Sequence, residues 1–227
     1  MKEHPILVSG SLVPPILAGI KIETRRLLRV QPELPILWYP TPYNKKSLAY
    51  DGEAHFRRGV VADFAPWKVG DRLWVRETWA ALGNDDGLPV NAKGEVVEWG
   101  PGVACVYRAD TKPGKYGADI LPDGSEWFGK WRPSIHMPRW ASRISLEVTE
   151  VRVQRVQEIT DEDADAEGTA PHCRCTEGCD ICARSLVDYF RDTWDSLAPE
   201  GLKWTDNPWV WAVTFKLVQP PPPRIVV

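Results

Sequence analysis

Gly19-Ile20-Lys21-Ile22-Glu23-Thr24-Arg25-Arg26 is the stretch on which the reading of this 227-residue chain turns. Three cations, one carboxylate and one hydroxyl fall within the six residues from Lys21 to Arg26. A threonine hydroxyl is inert as a nucleophile at neutral pH unless a neighbour accepts its proton. Lys21 can do so if burial and the nearby Arg25 and Arg26 lower its proton affinity. Arg26 offers a rigid fork of donors suited to a phosphate or a base carbonyl. Lys21 and Thr24 are three residues apart, so they share a face on a turn and oppose one another on a flat strand. The chemistry therefore requires that residues 20–25 not form a regular strand. The same residues after a helix end also fit an ordinary solvated segment, since cations are favoured there by the helix dipole.

On the N-terminal side, residues 11–19 predict a short helix entered through Pro14 and Pro15 and closed by Gly19. On the C-terminal side, residues 31–66 predict a proline-rich surface excursion with one short hairpin. Residues 69–79 open on the turn signal Gly70-Asp71 and continue as a strand in which Leu73 and Val75 alternate with Trp74 and Arg76. Residues 83–100 and 112–129 predict loops, 103–109 a strand, and 131–139 an extended segment pinned by Pro133 and Pro138. The strongest strand signal is 142–157, with one slip in its alternation near Glu150. Thr160 then caps a short acidic helix over 161–167, stopped by Gly168. Residues 185–197 carry Leu186, Tyr189, Phe190 and Trp194 at helical spacing. Residues 208–218 predict a last strand, and 219–227 a proline-rich tail. The fold class expected is mostly β (α+β), a single domain over 1–227 with strands separated by long loops in the manner of a small barrel.

The Gly-x-Lys-x-x-Thr-x-Arg pattern directly after a short helix resembles the signature of ASCH domains, in the PUA-like β-barrel superfamily. Its Thr form resembles the small bacterial N4-acetylcytidine amidohydrolases of that group. The Gly-Asp turn with its strand, the long strand followed by a short helix ending near a Glu, and the closing strand agree in order. The long loops look like those of larger phage- and prophage-encoded relatives. The resemblance implies a PUA-like barrel with short flanking helices, and a pocket for a nucleoside or nucleotide. It implies Lys21, Thr24 and Glu167 as catalytic residues, with Asp163, Asp165 and Glu162 offering near registers for the acid. Gly19 and Arg26 follow as substrate-binding residues; Arg76 and Glu77 interrupt an apolar strand, so they either pair with neighbouring residues or face the pocket as further substrate-binding residues. The implied activity is removal of an acyl group from an N4-acylated cytosine, with no cofactor for catalysis. Two other readings stay open: a non-catalytic module binding RNA or a modified base, and a metal-independent ribonuclease.

His172-Cys173-Arg174-Cys175-Thr176-Glu177-Gly178-Cys179-Asp180-Ile181-Cys182 spaces four thiols as C-x-C-x3-C-x2-C within a segment spanning 169–184. Four thiolates in ten residues suit a tetrahedral structural zinc through Cys173, Cys175, Cys179 and Cys182, with His172 as substitute ligand. Cys105, inside a strand, reads as a core filler. The 12 Trp supply bulk for the core, and Trp79, Trp131 and Trp140 are candidates to stack on a base. A net charge of −3 disfavours a protein that coats long nucleic acid and favours a small ligand or a narrow basic groove. No apolar run reaches membrane-spanning length, so the expectation is a cytosolic protein with no membrane partner.

Overall fold

The computed structural model describes residues 1–29, 31, 38–40, 47–49, 65–127, 129–169 and 184–219. Its strands are β1 (Glu3–Leu7), β2 (Glu23–Leu27), β3 (Trp38–Pro40), β4 (Ser47–Ala49), β5 (Arg72–Arg76), β6 (Trp79–Ala81), β7 (Cys105–Tyr107), β8 (Lys112–Pro113), β9 (Asp119–Ile120), β10 (Glu126–Trp127), β11 (Ser145–Arg155) and β12 (Trp209–Gln219). The helices are α1 (Val13–Leu17), α2 (Asp161–Ala166) and α3 (Leu186–Leu197). The class is thus mixed α and β with strand predominating, as the sequence predicts. Five strands form one sheet in the order β1-β5-β11-β12-β2, and no closed barrel is seen among the described residues. The chain divides into two compact, discontinuous units, and β11 and β12 each contribute residues to both.

The first unit comprises Met1–Gly19, Arg72–Leu146 and Leu217–Val227. Here β1 runs parallel to β5, from Glu3 opposite Arg72 to Leu7 opposite Arg76. Leu73 and Val75 point into the core and are wholly buried, which is the alternation read from the sequence. In α1 the two prolines occupy the first turn, where their missing N–H groups lose nothing. Gly19 ends it at φ +71°, a left-handed conformation that glycine adopts without strain. β6 and β7 pair antiparallel, and Trp79, Met137 and Ala141 form a core cluster with Ala81, Cys105, Tyr107 and Trp140 packed against it. Trp79 is 1% exposed and meets the edge of Trp140 at 5.6 Å, so it is a core residue and not a stacking face. Trp131 donates its indole N–H to Asp119 Oδ2 at 2.6 Å.

Three local expectations differ from the structure in this unit. The strand expected over 103–109 is only Cys105–Tyr107, followed by a 3-10 turn at Arg108–Asp110. The loop expected at 112–129 contains β8, β9 and β10, two-residue strands in one small sheet. The segment expected to be extended at 131–139 coils into 3-10 turns at Ser134–His136 and Arg139–Ala141. Pro133 and Pro138 start those turns, since a fixed φ near −65° suits a turn entrance as well as an extended chain.

The second unit comprises Ile20–Asp71 and Glu147–Lys216. β2 pairs antiparallel with β12, Glu23 opposite Thr214, Thr24 opposite Val213 and Arg25 opposite Ala212. β3 and β4 pair antiparallel, in the place where a hairpin was expected. Thr149 and Glu150, where the alternation of β11 slips, are both exposed. Thr160 caps α2 by accepting from Asp163 N at 3.2 Å, and Gly168 follows its end at φ +62°. Ser185 caps α3, whose Phe190 and Trp194 pack with Val156, Ile159, Ala164 and Val210. Burying each of those two aromatics contributes about 2–3 kcal/mol.

Candidate functional site

The path from sequence to site begins at the end of α1. The chain leaves Gly19, passes Lys21 and Ile22 without regular structure, and enters β2 only at Glu23. Ile22 N bonds to Ala166 O at 2.9 Å, and Ile22 O accepts from Phe215 N at 2.8 Å. These bonds hold the segment between the end of α2 and β12. Ile22 is exposed, whereas Lys21, Glu23 and Arg25 are buried. Glu167 stands on the last turn of α2, its N–H bonded to Asp163 O at 3.0 Å.

Lys21 and Glu167, 146 residues apart in sequence, meet in the interior at 2% and 4% exposure. Lys21 Nζ lies 2.5 Å from Glu167 Oε2, 2.8 Å from Glu167 O and 2.7 Å from Glu23 O. All three ammonium protons therefore have acceptors. Burial pushes the lysine below its ordinary value; Glu167 opposes that shift, and the charges of Arg26 and Arg25 add to it.

Around this pair runs a larger network. Arg25 Nη1 donates to Glu167 Oε1 at 3.2 Å, and Nη2 to Asp163 Oδ2 at 2.7 Å. Nη1 also lies 2.8 Å from Glu23 Oε1, an ion pair without hydrogen-bond geometry. Arg152 Nη2 reaches Glu23 Oε2 at 2.5 Å and Asp163 Oδ1 at 3.1 Å, and Thr214 donates its hydroxyl to Glu23 at 3.0 Å. Three cations (Lys21, Arg25, Arg152) thus pair with three carboxylates (Glu23, Asp163, Glu167), and Arg26 adds a fourth positive charge nearby. Burial raises the Asp163 carboxyl, but the hydrogen bond from Arg152 and the charges of Arg25 and Arg152 outweigh it and hold it below the usual range.

Residues 20–22 are irregular as the chemistry requires, but Glu23–Arg25 are regular β2, contrary to that requirement, and Thr24 is buried on the face of the strand opposite Glu23 and Arg25. Among the described residues its hydroxyl is not an acceptor for Lys21, whose three bonds go to Glu23 and Glu167. The amine nevertheless rests on the carbonyl of the peptide that joins Glu23 to Thr24. Arg26 shares the Thr24 face; burial pulls its proton affinity down and Glu167 opposes that shift. Gly19 belongs to the first unit and supplies the turn that ends α1.

Arg76 and Glu77 find their partners within the first unit. Arg76 Nε donates to Ser134 O at 3.1 Å, its Nη2 to Ile135 O, and its guanidinium lies 5.5 Å from the Trp74 ring. Glu77, with no exposure, takes a bidentate pair from Arg143 at 2.9 and 3.0 Å. Arg143 also grips Asp110 at 2.5 and 3.0 Å and sits 4.0 Å over the Tyr107 ring. Burial pushes the Glu77 carboxyl up despite the Arg143 hydrogen bonds. Burial disfavours the charge on Arg143, but Glu77 and Asp110 outweigh it and hold the proton more tightly than usual. Burial also pushes the Cys105 thiol up to about 11, which leaves it an unreactive packing group.

The sequence reading missed Glu23, Arg25, Asp163 and Arg152 as one assembly. Glu23 and Arg25 at alternate positions beside β-branched Thr24 were the available signal, because two buried charges on one strand face require partners. His172, Cys173, Cys175, Cys179 and Cys182 lie outside the described residues. Compared with known protein families, curated proteins and solved structures, the chain matches none.

Proposed function

We propose that the protein is an amidohydrolase of PUA-like, ASCH type that removes an acyl group from an N4-acylated cytosine nucleoside or nucleotide. The observation that carries this is the buried Lys21–Glu167 pair, with Lys21 shifted toward its neutral, basic form. A proton passed from Lys21 to Glu167 leaves a neutral amine against the Glu23–Thr24 peptide. Because Thr24 Oγ1 and the amine share no hydrogen bond, one intervening water carries the hydroxyl proton to the amine as Oγ1 bonds to the acyl carbon. The C–N4 bond then breaks, N4 leaves with a proton from Glu167, and an acyl ester remains on Thr24. Water attacks the ester and gives one proton to the pair, which passes it to Thr24 Oγ1 as the ester bond breaks, releasing the carboxylic acid and restoring the threonine hydroxyl. The sum is acylated cytosine plus water giving cytosine plus acid. Arg26, on the Thr24 face, supplies the donors for a base carbonyl or phosphate.

Purified protein incubated with N4-acetylcytidine should release cytidine, followed by chromatography. Thr24→Val keeps the β-branched shape that fits β2 and removes only the hydroxyl. It should fold as the parent does and lose at least about 10³-fold in kcat, the scale expected for losing a nucleophile. A fully active Thr24→Val would remove Thr24 from the chemistry. A second reading, a non-catalytic module for a modified base, is favoured by the full saturation of Lys21. Binding of N4-acetylcytidine without turnover would select it.

The four thiols at Cys173, Cys175, Cys179 and Cys182 are proposed as a structural zinc site, on spacing alone. Metal analysis of the purified protein should give one zinc per chain, lost on Cys175→Ser together with Cys179→Ser. A parent protein prepared under reducing conditions with no zinc would reject that site.

A further inference from the structure

We infer that Arg25 is a positioning residue, whose guanidinium fixes where the Glu167 carboxylate stands and which charge Lys21 faces; its consequence for turnover rests on the amidohydrolase reading. The geometry is specific. The Arg25 side chain has no solvent exposure, and it bonds Glu167 Oε1 while Lys21 holds Oε2. A carboxylate gripped at both oxygens from different directions cannot rotate about its last bond without breaking one contact. Arg25 is itself locked. Its Nη2 is tied to Asp163, one turn before Glu167 on α2, and its Nη1 to Glu23 on its own strand. The guanidinium carbon lies 5.5 Å from the centroid of the Phe190 ring of α3. Strand β2, helix α2 and helix α3 therefore all bear on one side chain, and through it on Glu167.

A lysine cannot replace this fork. One ammonium on a flexible stem lacks the two rigid, divergent Nη groups that reach Asp163 and Glu167 together. The charge of Arg25 acts separately from its shape, because it lies among the groups that lower the proton affinity of Lys21. The charged groups around Lys21 are Glu23, Arg25 and Arg26 from β2, Asp163 and Glu167 from α2, and Arg152 from β11. β12 contributes the Thr214 hydroxyl, on Glu23. Removing Arg25 leaves Lys21 facing carboxylates with less opposing charge, and its proton should then be held to higher pH.

The two contributions separate in two variants, Arg25→Lys and Arg25→Met, each checked by thermal melting. Arg25→Lys keeps the charge and loses the fork. On N4-acetylcytidine it should reduce kcat roughly 10–100-fold, the penalty of a misplaced catalytic group, with KM within about twofold. Its pH–rate profile should keep the parent's midpoint. Arg25→Met loses both, so the rise of kcat with pH should move to higher pH. Lysine labelled with ¹³C at Cε gives a readout independent of turnover. The Lys21 titration should move up in Arg25→Met and stay with the parent in Arg25→Lys. If the parent hydrolyses nothing, the amidohydrolase reading falls, and the NMR titration alone decides the role of Arg25. An Arg25→Lys variant with parental kcat, or an Arg25→Met variant with an unmoved Lys21 titration, overturns the inference.

Discussion

Arg143→Met should destabilise the protein by about 3–5 kcal/mol, the usual result of removing one partner from a buried ion pair. For a chain of this size that is a fall in melting temperature of roughly 6–20 °C. The reason is what it leaves behind. Glu77 is completely buried, and both its oxygens bond to Arg143. Asp110 is nearly buried and uses the same guanidinium. One substitution therefore strands two carboxylates in the first unit. The pH dependence has a definite sign. The folded Glu77 carboxyl already lies above its ordinary value of 4.5, so its contribution is fully present below that pH and is lost as pH rises through the folded value. Without Arg143 the folded value rises further. The variant should be weakest at neutral pH and regain part of its stability near pH 4, below the value at which the buried Glu77 takes up its proton. Calorimetry of the parent and the variant at both pH values tests this. Glu77→Leu with Asp110→Asn in the Arg143→Met background should recover most of the loss, because apolar replacement of a buried ion cluster is commonly neutral or favourable. Arg139→Met, which breaks an exposed pair with Glu3, is the contrast and should change stability by less than about 1 kcal/mol. Equal losses in Arg143→Met and Arg139→Met would show that the buried cluster carries no special weight.

What the sequence revealed and what it hid divide along a physical line. Elements bounded by strong local chemistry were legible: Thr160 and Gly168 around α2, Ser185 before α3, and the period-two pattern of β5. Their signals are backbone conformations and alternations that neighbouring residues impose. The three two-residue strands β8 to β10 were not legible, because pairs that short show no periodicity and exist only through their partners. The 3-10 turns after Pro133 and Pro138 were missed because proline permits both extended and turning continuations. The same distinction holds in the site. Lys21 was found by motif, and Glu167 by its position near a helix end. Their four ionic companions were not found, since Arg25 and Arg152 are 127 residues apart and share a carboxylate only after β2, β11 and α2 pack together. Arg143 likewise gave no signal of its own. A cation beside a strand looks solvated until the fold sets it between Glu77 and Asp110.

Lys21→Met and Glu167→Leu, alone and combined, should separate what the buried pair does for stability from what it does for chemistry. Lys21→Met leaves Glu167 Oε2 without its partner, although Arg25 still holds Oε1. Its expected loss is about 3–5 kcal/mol. Glu167→Leu leaves an ammonium with two carbonyl acceptors. That loss should be smaller at neutral pH, because burial already favours the neutral amine and Glu167 is the main group opposing it. The sign follows from the depressed lysine value: its stability contribution is present above the ordinary 10.5 and lost as pH falls through the folded value. The stability of Glu167→Leu should therefore improve as pH rises, and that of Lys21→Met should not. The double variant should be more stable than Lys21→Met, since no unpaired charge remains at the pair, and the cycle should yield a coupling of at least about 1 kcal/mol. Turnover of N4-acetylcytidine should follow a different rule. Each single change removes the base or its proton partner and should lower kcat by about 10²–10⁴-fold. The double variant should be no worse than the lower single, as happens when two groups act as one unit. A stable double variant without activity makes the pair catalytic. A stable double variant with parental activity makes it only a packing device, and the hydrolysis would then have to be carried by other residues.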